Sequence, residues 1–269
     1  MTQGSSEDQG QEELARLYTL LAYVFRGGLA ATLASVLFLG IGSRVVMRIS
    51  ALLNTDSRGL ITENENVVGR ITAGGTAELI VFVGILGGFF SGTVWVLVRE
   101  WMPEATLPRV ALAGVLAVLT GGFQVINSHN SDFVLLDPPA LHIAMFALLV
   151  ALTGATMALF DRFLEPHVPT TGTPASILGG LAGFGLIFAL PLLVISFFSD
   201  QDQNPPAAAG LALIAVTAAT ITTWVRFYSS GEMGFSARPV WLQRFGVVAV
   251  TLLGIAGGIH LLGEITAIA

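Results

Sequence analysis

The sequence predicts an all-α polytopic membrane bundle of seven transmembrane helices, with the N-terminus cytoplasmic and the C-terminus external. Three observations predict it. Composition comes first: 54% of the residues are hydrophobic and 11% charged, and mean hydropathy is +0.78. A soluble domain carries about 25% charged residues, so this chain cannot cover itself with a polar surface. The second is a set of seven apolar runs near 28–53, 76–98, 108–127, 139–161, 176–198, 208–228 and 240–262. Each is about the 20 residues that cross a bilayer as a helix. The third is charge asymmetry. An odd number of spans puts Arg16, Arg26, Arg99, Arg109, Arg162, Arg226, Arg238 and Arg244 on the amino-terminal side, against Arg44, Arg48, Arg58 and Arg70 on the other. The positive-inside rule assigns the richer side to the cytoplasm.

Residues 1–11 are polar and acidic and lack a basic n-region, so they read as a disordered tail and not as a signal peptide. Residues 12–26 carry apolar side chains at Leu14, Leu17, Leu20, Leu21 and Val24, the spacing of an interfacial or membrane-entering helix. Gly27-Gly28 reads as a break before the bundle at 27–269. Pro138-Pro139 and Pro174 mark helix starts, and Pro191 should kink the fifth span. Trp101, Trp224, Trp241, Tyr18, Tyr23 and Tyr228 all fall at the amino-terminal side, with Trp95 about a turn deeper.

Apolar side chains gain little from one another in lipid, so close backbone approach at small residues carries helix association. Gly84, Gly88 and Gly92 form such a stripe on the second span. Gly179 with Gly183 and Gly254 with Gly258 offer shorter ones, and Ala147, Ala151 and Ala155 line the fourth span. The stripe on the second span predicts packing within the chain, with homodimerisation as the alternative.

Arg44 and Arg48 stand four residues apart on one helix face within an otherwise apolar stretch. Charges in hydrocarbon are costly and need partners. Glu78, His142, His260 and Glu264 fall at the same predicted depth, and a carboxylate beside an arginine keeps both charged. The candidate polar cluster is therefore Arg44, Arg48, Glu78, His142, His260 and Glu264, with Arg44 or Arg48 paired to Glu78 or Glu264. Alternatively the arginines snorkel to headgroups. Segment 55–75 reads as a loop or short hairpin lid, and its Glu63 and Glu65 lack the spacing of a calcium loop. Asp137 is placed to complement the dipole of the fourth helix.

Several chemistries are excluded by residue type. All 12 basic residues are arginine, so no lysine Schiff base or phosphate-loop lysine exists. There is no cysteine, hence no disulfide, thiolate metal site or cysteine nucleophile. A net charge of −6 gives no support for nucleic-acid binding. Of the four histidines, His142 and His260 are the pair that could ligate haem, but no cofactor and no metal site is expected. The second and fifth spans, both glycine-rich, weakly suggest inverted symmetry.

The segments SRVVMR at 43–48, VGRITAGGT at 68–76, VREWMP at 98–103 and SDFVLLDPP at 131–139 resemble a group of multi-pass membrane proteins of actinobacteria to which no activity is assigned. The resemblance covers about the first 165 residues. It implies a bacterial inner-membrane protein and transfers no catalytic residue. The functional expectation is a non-enzymatic scaffold or subunit whose partners are the lipid bilayer, other membrane subunits or a second copy. The alternative is a small transporter or channel with an outward Arg/Glu pocket for an anionic solute or proton.

Overall fold

In the computed structural model, the described residues are 4–54, 72–130, 137–170, 172–198, 207–230 and 238–268. They are helical throughout apart from short turns, and seven of the rods are long and apolar enough to cross a membrane. The chain is an all-α, multi-pass integral membrane protein.

The first span is α1 (Gly4–Ser35), a π-helical stretch (Val36–Gly42) and α2 (Ser43–Leu53). The second is α3 (Ala73–Glu78), a second π-helical stretch (Leu79–Leu86), α4 (Gly87–Val98) and a closing 3-10 turn (Arg99–Trp101). The remaining five are α5 (Thr106–Val125), α6 (Pro139–Leu164), α7 (Gly172–Ser196), α8 (Ala207–Ser230) and α9 (Val240–Ile268). Below, the amino end is the end of the bundle that holds the start of α1, and the carboxy end is the opposite one.

The sequence placed a tail at 1–11 and a break at Gly27-Gly28, but the helix is continuous from Gly4. The glycine pair is a packing notch. A Cβ on Gly27 would lie 2.7 Å from both Arg99 Nη1 and Val96 Cγ2, and one on Gly92 would lie 3.1 Å from the Gly28 Cα. Inside lipid a helix break would also leave backbone groups without partners, so glycines there serve close approach. The amino-terminal extension is held by Arg16, which pairs with Glu12 at 2.6 Å and donates to the Tyr228 carbonyl at 3.0 Å at the end of α8.

The glycine stripe of the second span packs within the chain, against the first span. A Cβ on Gly84 would lie 3.0 Å from the Val36 Cα, and one on Gly88 would lie 2.6 Å from the Thr32 Cα. The two π-helical stretches meet here, with Gly40 facing Ile80. Ser35 and Ser91, whose hydroxyls are 3.4 Å apart, bridge the same interface. The third and fourth spans pack as closely: a Cβ on Gly114 would lie 3.0 Å from the Ala151 carbonyl oxygen, and one on Gly154 would overlap the Ala113 carbonyl. Gly179 receives Leu21 of the first span. Pro191 lies inside α7, which continues past it.

The fourth helix begins at the proline pair, as the sequence predicts. Its N-cap is Pro138, with Pro139 in the first turn and no side-chain cap. Asp137 is exposed, and its backbone N–H donates to Asn54 Oδ1 at 2.8 Å. Proline lacks the N–H that a cap would satisfy, so the first turn has less need of Asp137. Residues 55–71 of the proposed lid, with Glu63 and Glu65, lie outside the described residues, and its last three residues already belong to α3.

Candidate functional site

The polar side chains expected to gather at the carboxy end fall into separate groups. Arg44 is 8% exposed, and its Nε and Nη2 are buried without a hydrogen-bond partner among the described residues. Glu78 is the carboxylate that acts on it electrostatically, yet among the described residues Arg44 forms no ion pair. Glu78 and Arg48 are both exposed on the helix surface. Glu264 is committed elsewhere: one oxygen accepts the Ser128 N–H at 2.7 Å, and the other lies 3.7 Å from His260 Nε2. It caps the turn after α5 by accepting the Ser128 N–H, which lies beyond the end of the helix.

His142 is fully buried. Its Nδ1 meets the Pro138 carbonyl at 3.0 Å, and its Nε2 has no partner. His260 packs edge-on to Phe123, 5.3 Å between ring centres. Each histidine is thus engaged within or beside its own helix, which is not the facing arrangement a bis-histidine haem needs.

The densest polar constellation is at the amino end, on residues whose partnership the sequence did not reveal. The 3-10 turn Arg99-Glu100-Trp101 closes the second span and is buried at all three positions. Arg99 Nη1 donates to Asp161 Oδ1 at 2.5 Å, and each residue is 1% exposed. The second terminal nitrogen of Arg99 donates to the Tyr23 carbonyl. Its guanidinium carbon lies 3.4 Å from the centre of the Tyr23 ring, a cation–π contact. Arg26 Nε also donates to Asp161 Oδ1, at 3.0 Å, and its Nη1 reaches Glu165 at 3.0 Å. Arg109 Nη2 donates to the Arg99 carbonyl at 2.8 Å.

The other two residues of the turn extend the network. Glu100 forms an ion pair with Arg238, which also donates to the Glu100 carbonyl at 2.5 Å and stacks over Trp101 at 4.9 Å. The Trp101 indole N–H donates to Thr220 Oγ1 at 3.1 Å, and that hydroxyl donates to the Leu97 carbonyl at 2.9 Å. The Trp101 ring lies on Gly246, where a Cβ would overlap it. One turn of three residues therefore holds the first, third, fourth, sixth and seventh spans.

The physical logic is that of charge in a low dielectric. An isolated buried guanidinium or carboxylate costs several kcal/mol, and direct hydrogen-bonded pairing offsets that cost. Asp161 serves two arginines, so its removal strands Arg99 and leaves Arg26 with the exposed Glu165 alone. In the structure Arg26, Arg99 and Asp161 each lie within a span near the same end, whereas the apolar runs read from the sequence leave both arginines just outside. The positive-inside count treated those arginines as loop charges and passed over the acidic residues among them.

A lateral groove of about 220 Å³ opens between the first, second and fifth spans, lined by Val24, Gly28, Thr32, Phe89, Gly92, Val96, Ala182 and Gly185 among others. Its hydroxyls face inward along their own helices, Thr32 to the Gly28 carbonyl at 3.0 Å and Thr93 to the Phe89 carbonyl at 3.1 Å. The groove thus presents an apolar wall suited to an acyl chain or an apolar helix. No protein-family model, curated protein or solved structure matches this chain.

Proposed function

We propose that this protein is a non-enzymatic scaffold or subunit of an assembly in the bacterial plasma membrane, oriented with its amino end in the cytoplasm. The observation that carries the reading is the engagement of Arg99, Glu100, Trp101 and Asp161 in ties between helices. Charges so placed favour a rigid body over rocking halves. The fifth span supports a partner-binding role: 17% of its most apolar window is buried, against 44% for the first, sixth and seventh. It stands beside the apolar groove, with Phe184, Ile187, Phe188 and Leu192 facing outward.

Native mass spectrometry of the protein extracted from its host in gentle detergent tests this. A subunit leaves the membrane in a complex of fixed stoichiometry, and a bulky polar substitution at Ile187 breaks that complex without unfolding the chain. Extraction as a free monomer that catalyses solute uptake in proteoliposomes contradicts the reading.

A second reading, an outward pocket for an anionic solute or proton, draws on one specific observation. Arg44 Nε and Nη2, Ser50 Oγ and His142 Nε2 are buried without hydrogen-bond partners among the described residues, on α2 and α6, which pack together. Uptake abolished by Arg44→Gln, with stability unchanged, selects this reading over the first.

A further inference from the structure

We infer that Arg109 and Arg162 form a phosphate-binding notch at the amino end of the bundle, between the third and fourth spans. Four guanidiniums, those of Arg26, Arg99, Arg109 and Arg162, meet two carboxylates here, Asp161 and Glu165. Asp161 is taken by Arg26 and Arg99, and Glu165 by Arg26. Arg109 and Arg162 form no ion pair among the described residues, and Glu104, exposed in the preceding turn, pairs with neither.

The two surplus arginines act on each other electrostatically and stand on helices in close contact. Each has a buried Nε with no acceptor. The Nε atoms of Arg99 and Arg238 also lack acceptors, but the terminal nitrogens of those residues are paired with carboxylates. Asp161 acts on Arg109 only from a distance, its hydrogen bonds being taken by Arg26 and Arg99, so the pair has no counter-ion in direct contact, and a guanidinium fork matches a phosphate bidentately.

A second feature points to the same anion. Helix α5 begins at Thr106 behind Ala105, which supplies no side-chain cap, so the amides of Thr106 and Leu107 lack that partner. The positive end of the helix dipole therefore opens beside Arg109, in the first turn. Leu107 is 80% exposed, so this helix start is not covered by the rest of the described bundle. The chemistry is that of a phosphoryl oxyanion, supplied by a lipid headgroup or by free phosphate. Basic pockets between helix ends take anionic headgroups in this way. The inference does not rest on the scaffold reading.

The test is the thermal midpoint of the full chain in nanodiscs of phosphatidylcholine, with and without phosphatidylglycerol. Phosphatidylglycerol is expected to raise Tm by roughly 3–5 °C. The rise should vanish in Arg109→Gln/Arg162→Gln and persist in Arg244→Gln, an exposed arginine at the same end. Inorganic phosphate added to phosphatidylcholine discs is the second arm. An equal, variant-sensitive rise there keeps the phosphate site and makes its occupant soluble. The wild-type comparison needs no variant to fold. Equal midpoints in all three conditions overturn the inference, as does an effect that Arg244→Gln removes equally.

Discussion

Asp161 accepts hydrogen bonds from both Arg99, at 2.5 Å, and Arg26, at 3.0 Å, through the same oxygen. The three residues come from the fourth, second and first spans, so a single carboxylate oxygen ties three helices. Asp161→Asn keeps the shape but removes the charge. It should cost about 3–5 kcal/mol, because the buried Arg99 guanidinium is left without a counter-charge and Arg26 keeps only the exposed Glu165. Glu165 is 63% exposed, and Glu165→Gln should cost no more than about 1 kcal/mol. Unfolding of the two variants in mixed micelles measures the difference, and equal losses would count against the shared carboxylate.

The first and second spans are in register through glycine. Gly88 leaves no room for a Cβ, whose nearest neighbour would be the Thr32 Cα at 2.6 Å, whereas Gly87, one residue earlier, has nothing within 4 Å. Gly88→Ala should lose about 1–3 kcal/mol by overpacking. Gly87→Ala should be neutral or gain up to about 1 kcal/mol from lower backbone entropy. Thermal melts of the pair give the answer, and a neutral Gly88→Ala contradicts the packing.

Much of this architecture is legible in the sequence because lipid simplifies the code. A run of apolar residues as long as the bilayer is thick has few options besides a helix, so seven spans follow from the runs alone. The stripe Gly84, Gly88 and Gly92 was legible as a contact face, since small residues mark close approach. Charge pairing was not legible. Arg44 attracts attention because it interrupts an apolar run, yet among the described residues it forms no ion pair. Asp161 and Arg99 look like helix ends and proved to be the most buried pair. Depth within a span depends on tilt and on neighbouring helices, and neither is written locally. Gly27-Gly28 misled for the opposite reason: in water such a pair suggests a turn, and here it admits the Arg99 side chain.

Trp101 and Thr220 link the second and sixth spans through one hydrogen bond of 3.1 Å. Trp101→Phe and Thr220→Val should each destabilise by about 1 kcal/mol. Together they should cost less than the sum of the two, because both remove the same bond. Additive losses would show that the indole contributes by packing on Gly246 alone.

The chain contains no cysteine, so single substitutions report sidedness cleanly. Gly74 is exposed at the carboxy end and Glu104 at the amino end. In intact cells a membrane-impermeant maleimide should label Gly74→Cys and spare Glu104→Cys until the cells are opened. The reverse pattern would place the arginine-rich end outside.

The account turns on charged side chains joining helices at one end of the bundle, and a double-mutant cycle on Arg99 and Asp161 tests it most directly. Arg99→Met and Asp161→Leu should each be strongly destabilising. Together they should recover a coupling of about 2–3 kcal/mol, because the double variant no longer buries the Arg99 guanidinium without its carboxylate, while Arg26 keeps Glu165. Additive losses, with coupling below about 0.5 kcal/mol, would mean that the two residues do not act as a pair in the membrane.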